Sequence, residues 1–334
     1  MKAVIWTKYG SPDGLQLGEV EEPTPKDNEV LIKIHAATAS TPDTELRKLK
    51  LPPLFVIPLR FYFGFIRPTR ITILGTEFAG EIAAAGKEVT RYQPGDQVYG
   101  YTGLGMRTYA EYLCLPEKQS GMAGILAPKP ANLTYEGAAA VPFGGLEALH
   151  SLRQVNIQPG QRVLIVGAGG SIGTYLVQLA KHYGAEVTGV DKPGKLEMLR
   201  SIGADHVIDY TQEDFTQNGQ KYDVILDTIG KSPFSGSLRS LNENGAYLNA
   251  NPGVFEGIRA RRTSKRTDKR VIAWSAEYTN ENLLALKELI EAGAIKPVID
   301  RTYPLEQIVE AHRYVETGQK KGNVVITVEH DRNS

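Results

Sequence analysis

The run Val163-Leu-Ile-Val166, apolar and strand-like, leads directly into Gly167-Ala-Gly-Gly-Ser-Ile-Gly173 and then into an amphipathic segment. Glycines at 167, 170 and 173 permit a tight turn, let backbone N–H groups close on a pyrophosphate, and let a helix pack against the strand. Ser171, Ile172 and Gly173 would form the first turn of that helix, where the helix dipole favours negative charge. The spacing is G-x-x-G-x-x-G rather than G-x-G-x-x-G, so the motif draws its weight from context. A strand precedes it, a helix follows, and Asp191 ends the next strand 18 residues beyond Gly173 (191 − 173). This predicts a dinucleotide site. Asp191 suits the ribose hydroxyls of NAD and opposes a 2′-phosphate, whereas Lys192 and Lys195 would receive one, so NADH and NADPH stay open. The bland alternatives are a close-packed strand–helix turn and a solvated charged turn.

Metal chemistry has little to stand on. Cys114 is the single cysteine, which excludes an intrachain disulfide and any cysteine-rich zinc site. The six histidines, at 35, 150, 182, 206, 312 and 330, are scattered without ligand spacing and read as packed or solvated residues. Lys+Arg and Asp+Glu both number 38, so there is no overall basic field for nucleic acid.

Length and pattern supply the frame. A chain of 334 residues suggests about two domains. Residues 1–125 read as short strands between Gly/Pro turns, among them 2–6, 29–35, 77–84 and 96–99. From 134 the pattern changes. A helical stretch over 135–155 must kink or divide at Pro142, and then apolar strands (163–166, 187–190, 206–210, 223–227, 246–249) alternate with helices (171–183, 194–202, 233–241). That alternation predicts α/β architecture with a doubly wound parallel sheet covered on both faces. Strands at 271–275 and 323–328 and helices at 280–292 and near 305–317 complete the chain. The start of the sequence lacks signal-peptide order, and the apolar stretch 51–66 is broken by prolines and too short to span a bilayer; the expectation is a cytoplasmic protein with no transmembrane segment.

Several ordered pieces together resemble the medium-chain dehydrogenase/reductase superfamily, and within it the zinc-free quinone oxidoreductase-like branch. They are Leu74-Gly-Thr-Glu-Phe-Ala-Gly-Glu81, Gln93-Pro-Gly-Asp-Gln-Val-Tyr-Gly100, Tyr109-Ala-Glu-Tyr112, Ala138-Ala-Ala-Val-Pro-Phe-Gly-Gly145, the glycine-rich segment, Val177-Gln-Leu-Ala-Lys181 and Gly322-Asn-Val-Val-Ile326. The resemblance implies a GroES-like β-rich catalytic domain (1–125 and 270–334) wrapped around a Rossmann dinucleotide-binding domain (126–269), with the active site in the cleft between them. It also implies cofactor contacts at Asp227, Thr228, Gly230, Asn249 and Asn323, whose alternative role is in strand-end turns, and a homodimer through the strand at 271–275. Ser40, Thr41 and Asp43 fall where the family places the pocket beside the nicotinamide; the same Thr-Pro-Asp run is also a helix-start signal. Tyr62, Tyr99 and Tyr101 are further phenolic candidates or packing residues.

The zinc enzymes of the superfamily carry their metal ligands where this chain has Ser40, Thr76, and Phe143 or Gly144, so no metal is expected. Pro42 replaces their proton-relay hydroxyl, and Glu147 stands where relatives usually have Thr. Without zinc to stabilise an alkoxide, alcohol oxidation loses its main support. A quinone or an α,β-unsaturated carbonyl delocalises the charge that arrives with hydride. The expectation is therefore reduction of such small molecules by NAD(P)H. A metal-free alcohol or aldehyde reductase, or a non-catalytic nucleotide-binding regulatory protein, is the alternative. Two stretches stand apart. Residues 51–70, rich in Phe and Pro, read as a lid, a membrane-facing patch or a folded-away loop. Residues 259–270 carry seven basic residues and one acid and read as a solvated loop, with no nucleic acid partner expected.

Overall fold

The computed structural model describes residues 1–49, 53–118, 124–250, 256–273 and 277–330. The chain forms two compact units, one of Met1–Phe143, Tyr278–Glu291 and Ile299–Ser334, the other of Gly144–Glu277 and Ala292–Val298.

The first unit is built around β3 (Glu29–Thr38), whose buried Val30, Ile32 and Ile34 alternate along one face. It pairs antiparallel with β4 (Glu77–Ala85), β6 (Tyr112–Pro116) and β15 (Asn323–Thr327). The sheet continues through β5 (Gln97–Tyr101) and β7 (Ile125–Pro128), and at its other side through β14 (Ile299–Pro304), parallel to β15. A hairpin of β1 (Lys2–Trp6) and β2 (Leu15–Glu19) stands as a second small sheet. Helices α1 (Thr41–Lys48), α2 (Pro53–Phe63), α3 (Tyr135–Ala139), α9 (Asn280–Glu291) and α10 (Ile308–Glu316) complete the unit. Trp6, Ile34, Phe63, Phe78, Tyr109 and Ile326 share its core.

In the second unit β8 (Arg162–Val166), β9 (Glu186–Asp191), β10 (His206–Asp209), β11 (Tyr222–Asp227), β12 (Leu241–Asn249) and β13 (Arg270–Ala273) form one sheet, every pairing parallel. Their spatial order is β10-β9-β8-β11-β12-β13. Counted from β8, this is the 3-2-1-4-5-6 order of a doubly wound Rossmann sheet, with the order reversing between β8 and β11. Helices α4 (Pro142–Val155), α5 (Ser171–His182), α6 (Pro193–Ser201), α7 (Phe234–Arg239) and α8 (Glu256–Arg266) belong with it.

One sequence expectation holds here and three change. The helical stretch 135–155 divides at Pro142 into α3 and α4, and the two units meet in sequence just beyond, between Phe143 and Gly144. Residues 126–143 therefore cluster with the first unit, and β13 pairs with β12, so the second unit runs on to Glu277. Part of the Pro-rich stretch is helical: α2 runs through Pro58, at the expense of one backbone hydrogen bond. The basic run begins inside α8 rather than in a loop. Residues 51–52 of the apolar stretch and 274–275 of the strand expected at 271–275 lie outside the described residues.

One buried cation organises the end of β3. Arg47, in the last turn of α1, is fully buried and donates to the Gly10 carbonyl, the Glu316 carboxylate and His312 Nδ1, the last at 3.3 Å. A guanidinium cannot accept, so Nδ1 must be the accepting nitrogen and the ring proton is assigned to Nε2. Nε2 faces Tyr109 Oη at 3.1 Å, and Tyr109 in turn donates to the Thr38 carbonyl at 3.1 Å. Burial, with Arg47 and Lys48 nearby, pushes the His312 imidazole down to about 3, so it stays neutral. Replacing Arg47→Met would strand His312 Nδ1 and the Gly10 carbonyl without donors. We expect a loss of about 3 kcal/mol in unfolding free energy, read by urea denaturation; an unchanged midpoint and slope would show that the network contributes nothing to stability.

Candidate cofactor and active site

In the second unit the glycine-rich segment is a close-packed turn. Gly167 sits at φ +75°, and a Cβ there would meet Thr228 Oγ1 at 2.5 Å and the Ile229 side chain. A Cβ on Gly173 would run into the carbonyl oxygens of Gly167 and Ala168, so only glycine lets α5 settle onto the turn. Gly170 is the N-cap of α5, and no side chain caps that end. The first turn, from Ser171 to Gly173, therefore presents helix-end polarity of the kind that takes phosphate. These features fit a dinucleotide pyrophosphate.

Around the turn the ends of β8, β11, β12 and β13 lie in register, with Val166 beside Asp227, Asp227 beside Asn249 and Asn249 beside Ala273. Ligands of doubly wound sheets bind at this carboxyl edge. The carboxylates there have local tasks. Asp227 is fully buried and accepts N–H bonds from Ile229 (3.0 Å), Gly230 (2.8 Å) and Ser232 (2.9 Å), holding the turn that carries Thr228. Thr228 Oγ1 donates to the Val166 carbonyl at 2.9 Å. Asp191 Oδ2 accepts the Gly169 N–H at 2.8 Å, while Oδ1 accepts the Lys192 N–H at 2.8 Å and lies 3.4 Å from Lys195 Nζ. Asp191 and Lys195 are thus one buried ion pair latched to the glycine turn, rather than a free acid and a free cation. Asn249 is buried at the end of β12, in register with Asp227. Asn323 opens β15 in the first unit, buried and paired in register with Ile299.

In the first unit Ser40 is the N-cap of α1 and forms a reciprocal capping box with Asp43. Asp43 Oδ2 accepts Ser40 N–H at 2.9 Å and Ser40 Oγ–H at 2.5 Å, and Ser40 Oγ accepts the Asp43 N–H at 3.2 Å. Burial pushes the Asp43 carboxyl up to about 6, against the bonds from Ser40. Thr41, one residue on, is exposed. Beside this box Thr38 Oγ1 donates to Glu77, whose other oxygen accepts the Phe143 N–H at 2.8 Å. Burial pushes Glu77 up to about 7. Tyr101 stacks on Tyr278 with ring centroids 4.9 Å apart and lies 6.2 Å from the Phe143 ring. Tyr99 is buried with its hydroxyl donating to the Leu283 carbonyl at 2.6 Å, a packing role, and Tyr62 is exposed. Glu147 is buried within α4.

Sequence reasoning assigned no role to Glu77, Tyr109 or Tyr278, and read His312 only as a packed or solvated residue; it is packed. Glu77 had a signal, since it follows Thr76 in a segment already singled out; the others meet only through the fold.

The places of the zinc ligands carry a capping hydroxyl (Ser40), the buried Thr76 and the ring of Phe143. Among the described residues no group of three or more His, Cys, Asp or Glu could hold a metal. Those donor types do not fit zinc.

Residues 26–129 match the family model of the alcohol dehydrogenase GroES-like domain, and residues 202–326 match a model described as zinc-binding dehydrogenase. Over 98% of its length the chain is 33% identical to the 2-methylene-furan-3-one reductase of Solanum lycopersicum, covering 79% of that protein. It is 30% identical to the NADPH-dependent alkenal/one oxidoreductase of Arabidopsis thaliana, with the same coverage of both chains. The solved quinone oxidoreductase from Coxiella burnetii superposes with a TM-score of 0.86 at 28% identity, over 98% of this chain and 99% of that one. The chain belongs to the medium-chain dehydrogenase/reductase superfamily. Within it the resemblance is to the zinc-independent quinone oxidoreductases, in keeping with the residues at the zinc-ligand places.

Glu77 also makes a thermodynamic prediction. Its folded pKa of about 7 lies above the ordinary 4.5, so the stability it contributes is full below about pH 4.5 and lost as pH rises through 7. His312 acts in the opposite sense, destabilising the fold as pH falls from 6.5 toward 3. Comparing wild type with Glu77→Gln isolates the glutamate. The wild-type decline between pH 4.5 and 7.5 should flatten in the variant by on the order of 2 kcal/mol, and parallel curves would refute the assignment.

Proposed function

We propose that this protein transfers hydride from NAD(P)H to a quinone or an α,β-unsaturated carbonyl, without a metal. The observation that carries the reading is the replacement of all three zinc-ligand places by Ser40, Thr76 and Phe143 in a chain that keeps the glycine turn. The names of its relatives, a methylene-furanone reductase, an alkenal/one oxidoreductase and a quinone oxidoreductase, support the same substrate class.

Gly167, Gly170 and the first turn of α5 would hold the pyrophosphate, and Asp191 with Lys195 would face the adenosine ribose. When bound, the nicotinamide supplies the hydride and the electron pair. What this chain must add is orientation and a proton for the oxygen of the reduced acceptor. We assign that task to Asp43 and Ser40, and their buried reciprocal capping box supports the assignment. With Asp43 protonated, its O–H donates to Ser40 Oγ and the Ser40 hydroxyl turns outward, the reverse of the bond it makes to the ionised acid; the Asp43 proton then passes to Ser40 Oγ, Ser40 releases its own to the acceptor oxygen, and Asp43 is left ionised. Thr41, exposed beside them, would contact substrate.

Cofactor oxidation followed optically, with a simple quinone and a simple enone and chelator present throughout, tests the reading. Turnover supports it; tight cofactor binding without turnover on either acceptor would overturn it. Ser40→Ala should lower kcat about a hundredfold while leaving the KM for cofactor unchanged, at a stability cost of about 1 kcal/mol. An unaltered kcat and solvent isotope effect would remove Ser40 from the proton path. Because Asp191 is already neutralised by Lys195, NADPH should be accepted. Lys195→Met should shift preference toward NADH about tenfold, measured as the ratio of kcat/KM values. A homodimer through the free edge of β13 belongs to the same reading, as does a reducing, cytoplasmic setting for Cys114, whose thiol burial pushes up to about 11. Gel filtration showing a monomer would sink the dimer.

A further inference from the structure

The chain after α2 turns a row of apolar side chains outward and fixes them there. Phe63, the last residue of α2, is fully buried against Trp6, ring centroids 5.7 Å apart. Gly64 follows at φ +137°, where a Cβ would collide with the Arg67 carbonyl oxygen, so the reversal needs glycine. The turn closes through the N–H groups of Thr69 (2.8 Å) and Arg70 (3.1 Å) on the Phe63 carbonyl, and Tyr9 Oη donates to the Gly64 carbonyl at 2.5 Å. The segment is thus pinned to the first unit on both sides of Phe63. Yet Phe61 is 65% exposed, Phe65 62% and Ile66 86%. Phe61 and Phe65 are in ring contact, centroids 5.9 Å apart. Single exposed apolar residues are ordinary; three on one pinned turn form a patch.

Within the segment that carries the patch the charge has one sign. No Asp or Glu lies between Glu45 and Glu77, whereas Arg60, Arg67 and Arg70 do. Arg67 and Arg70 are exposed, and among the described residues neither is in an ion pair. Arg70 also lines a cleft of about 400 Å³ together with exposed Arg107, over a floor that includes Met106, Leu113 and Leu115. None of Ser40, Thr41, Asp43 or Glu77 lines this cleft.

We propose that this face docks on an anionic lipid bilayer. Phe61, Phe65 and Ile66 enter the boundary between headgroups and acyl chains, and Arg67, Arg70 and Arg107 meet lipid phosphates, one of them at the cleft. Exposed aromatic and aliphatic side chains beside unpaired guanidinium groups are the chemistry such a surface takes, and it demands no detailed shape match. Since the chain has no net charge, the attraction is local to this face.

The test needs no substrate, so it can fail or succeed independently of the proposed reaction. The full chain is sedimented with vesicles of phosphatidylcholine alone or mixed with phosphatidylserine, at low and at raised salt. Variants are Phe65→Ser/Ile66→Ser, Arg67→Gln/Arg70→Gln, and, as an equal charge change elsewhere, Arg261→Gln/Arg262→Gln in α8; circular dichroism checks that each folds. Wild type should bind the anionic vesicles and release them with salt. Binding should fall about fivefold for each of Arg67 and Arg70 and about tenfold or more for the Phe65/Ile66 pair, while the α8 variant binds as wild type. Absence of binding to anionic vesicles at low salt, or undiminished binding by the Phe65/Ile66 variant, would overturn the proposal. So would gel filtration in which that variant alone drops to a smaller species, which would assign the patch to a second copy of the chain.

Discussion

Arg47 cannot surrender its charge, and it is sealed from water; the architecture at the end of β3 answers to that constraint. An unpaired buried guanidinium would cost several kcal/mol, so every neighbour has to accept from it. The Gly10 carbonyl, Glu316 and His312 Nδ1 do so, which ties the loop after β1, helix α1 and helix α10 to one point. His312 is thereby held as a neutral tautomer that positions Tyr109, and Tyr109 holds the carbonyl of Thr38. Thr38 is the residue that bonds Glu77, and Ser40 caps α1 two residues further on. The placing of Ser40 and Asp43 thus descends from a cation that touches neither.

The second unit solves a different problem by similar means. A dinucleotide turn must leave backbone N–H groups pointing outward, which is conformationally expensive unless other groups hold the chain. Glycine removes the steric obstacle at 167 and 173, and two acids supply the hold: Asp227 grips the turn after β11 and Asp191 grips Gly169. Both carboxylates act on their own chain before any ligand arrives.

The second unit was the more legible half because its information is local. Continuous apolar runs such as Val163–Val166 and the glycines behind them declare a parallel sheet and its binding turn within a few residues. The role of Asp191 was only half visible, since its partner at Gly169 is a backbone group that no residue type announces. The first unit hides more. β6 and β7 are short and lack clear alternation, and α2 is obscured by Pro58, which local propensity reads as a break while Phe63 anchors the helix through tertiary packing. Arg47 and His312 are 265 positions apart, and Tyr109 and His312 are 203 apart, so their meeting has no signature short of the folded sheet. The capping box of Ser40 and Asp43 was readable because it is local, and its burial was not.

The chain of bonds from Arg47 through His312 and Tyr109 to Thr38 runs in one direction only, because its first member can donate and never accept. It behaves as a frozen dipole and not as a conductor: passing a proton along it would require the ring to take up charge that its surroundings refuse. The interior side of the carboxyl cluster is therefore insulated. The same bonds that fix Thr38, and through it Glu77, thus hold a carboxyl in place without offering it a proton route through His312.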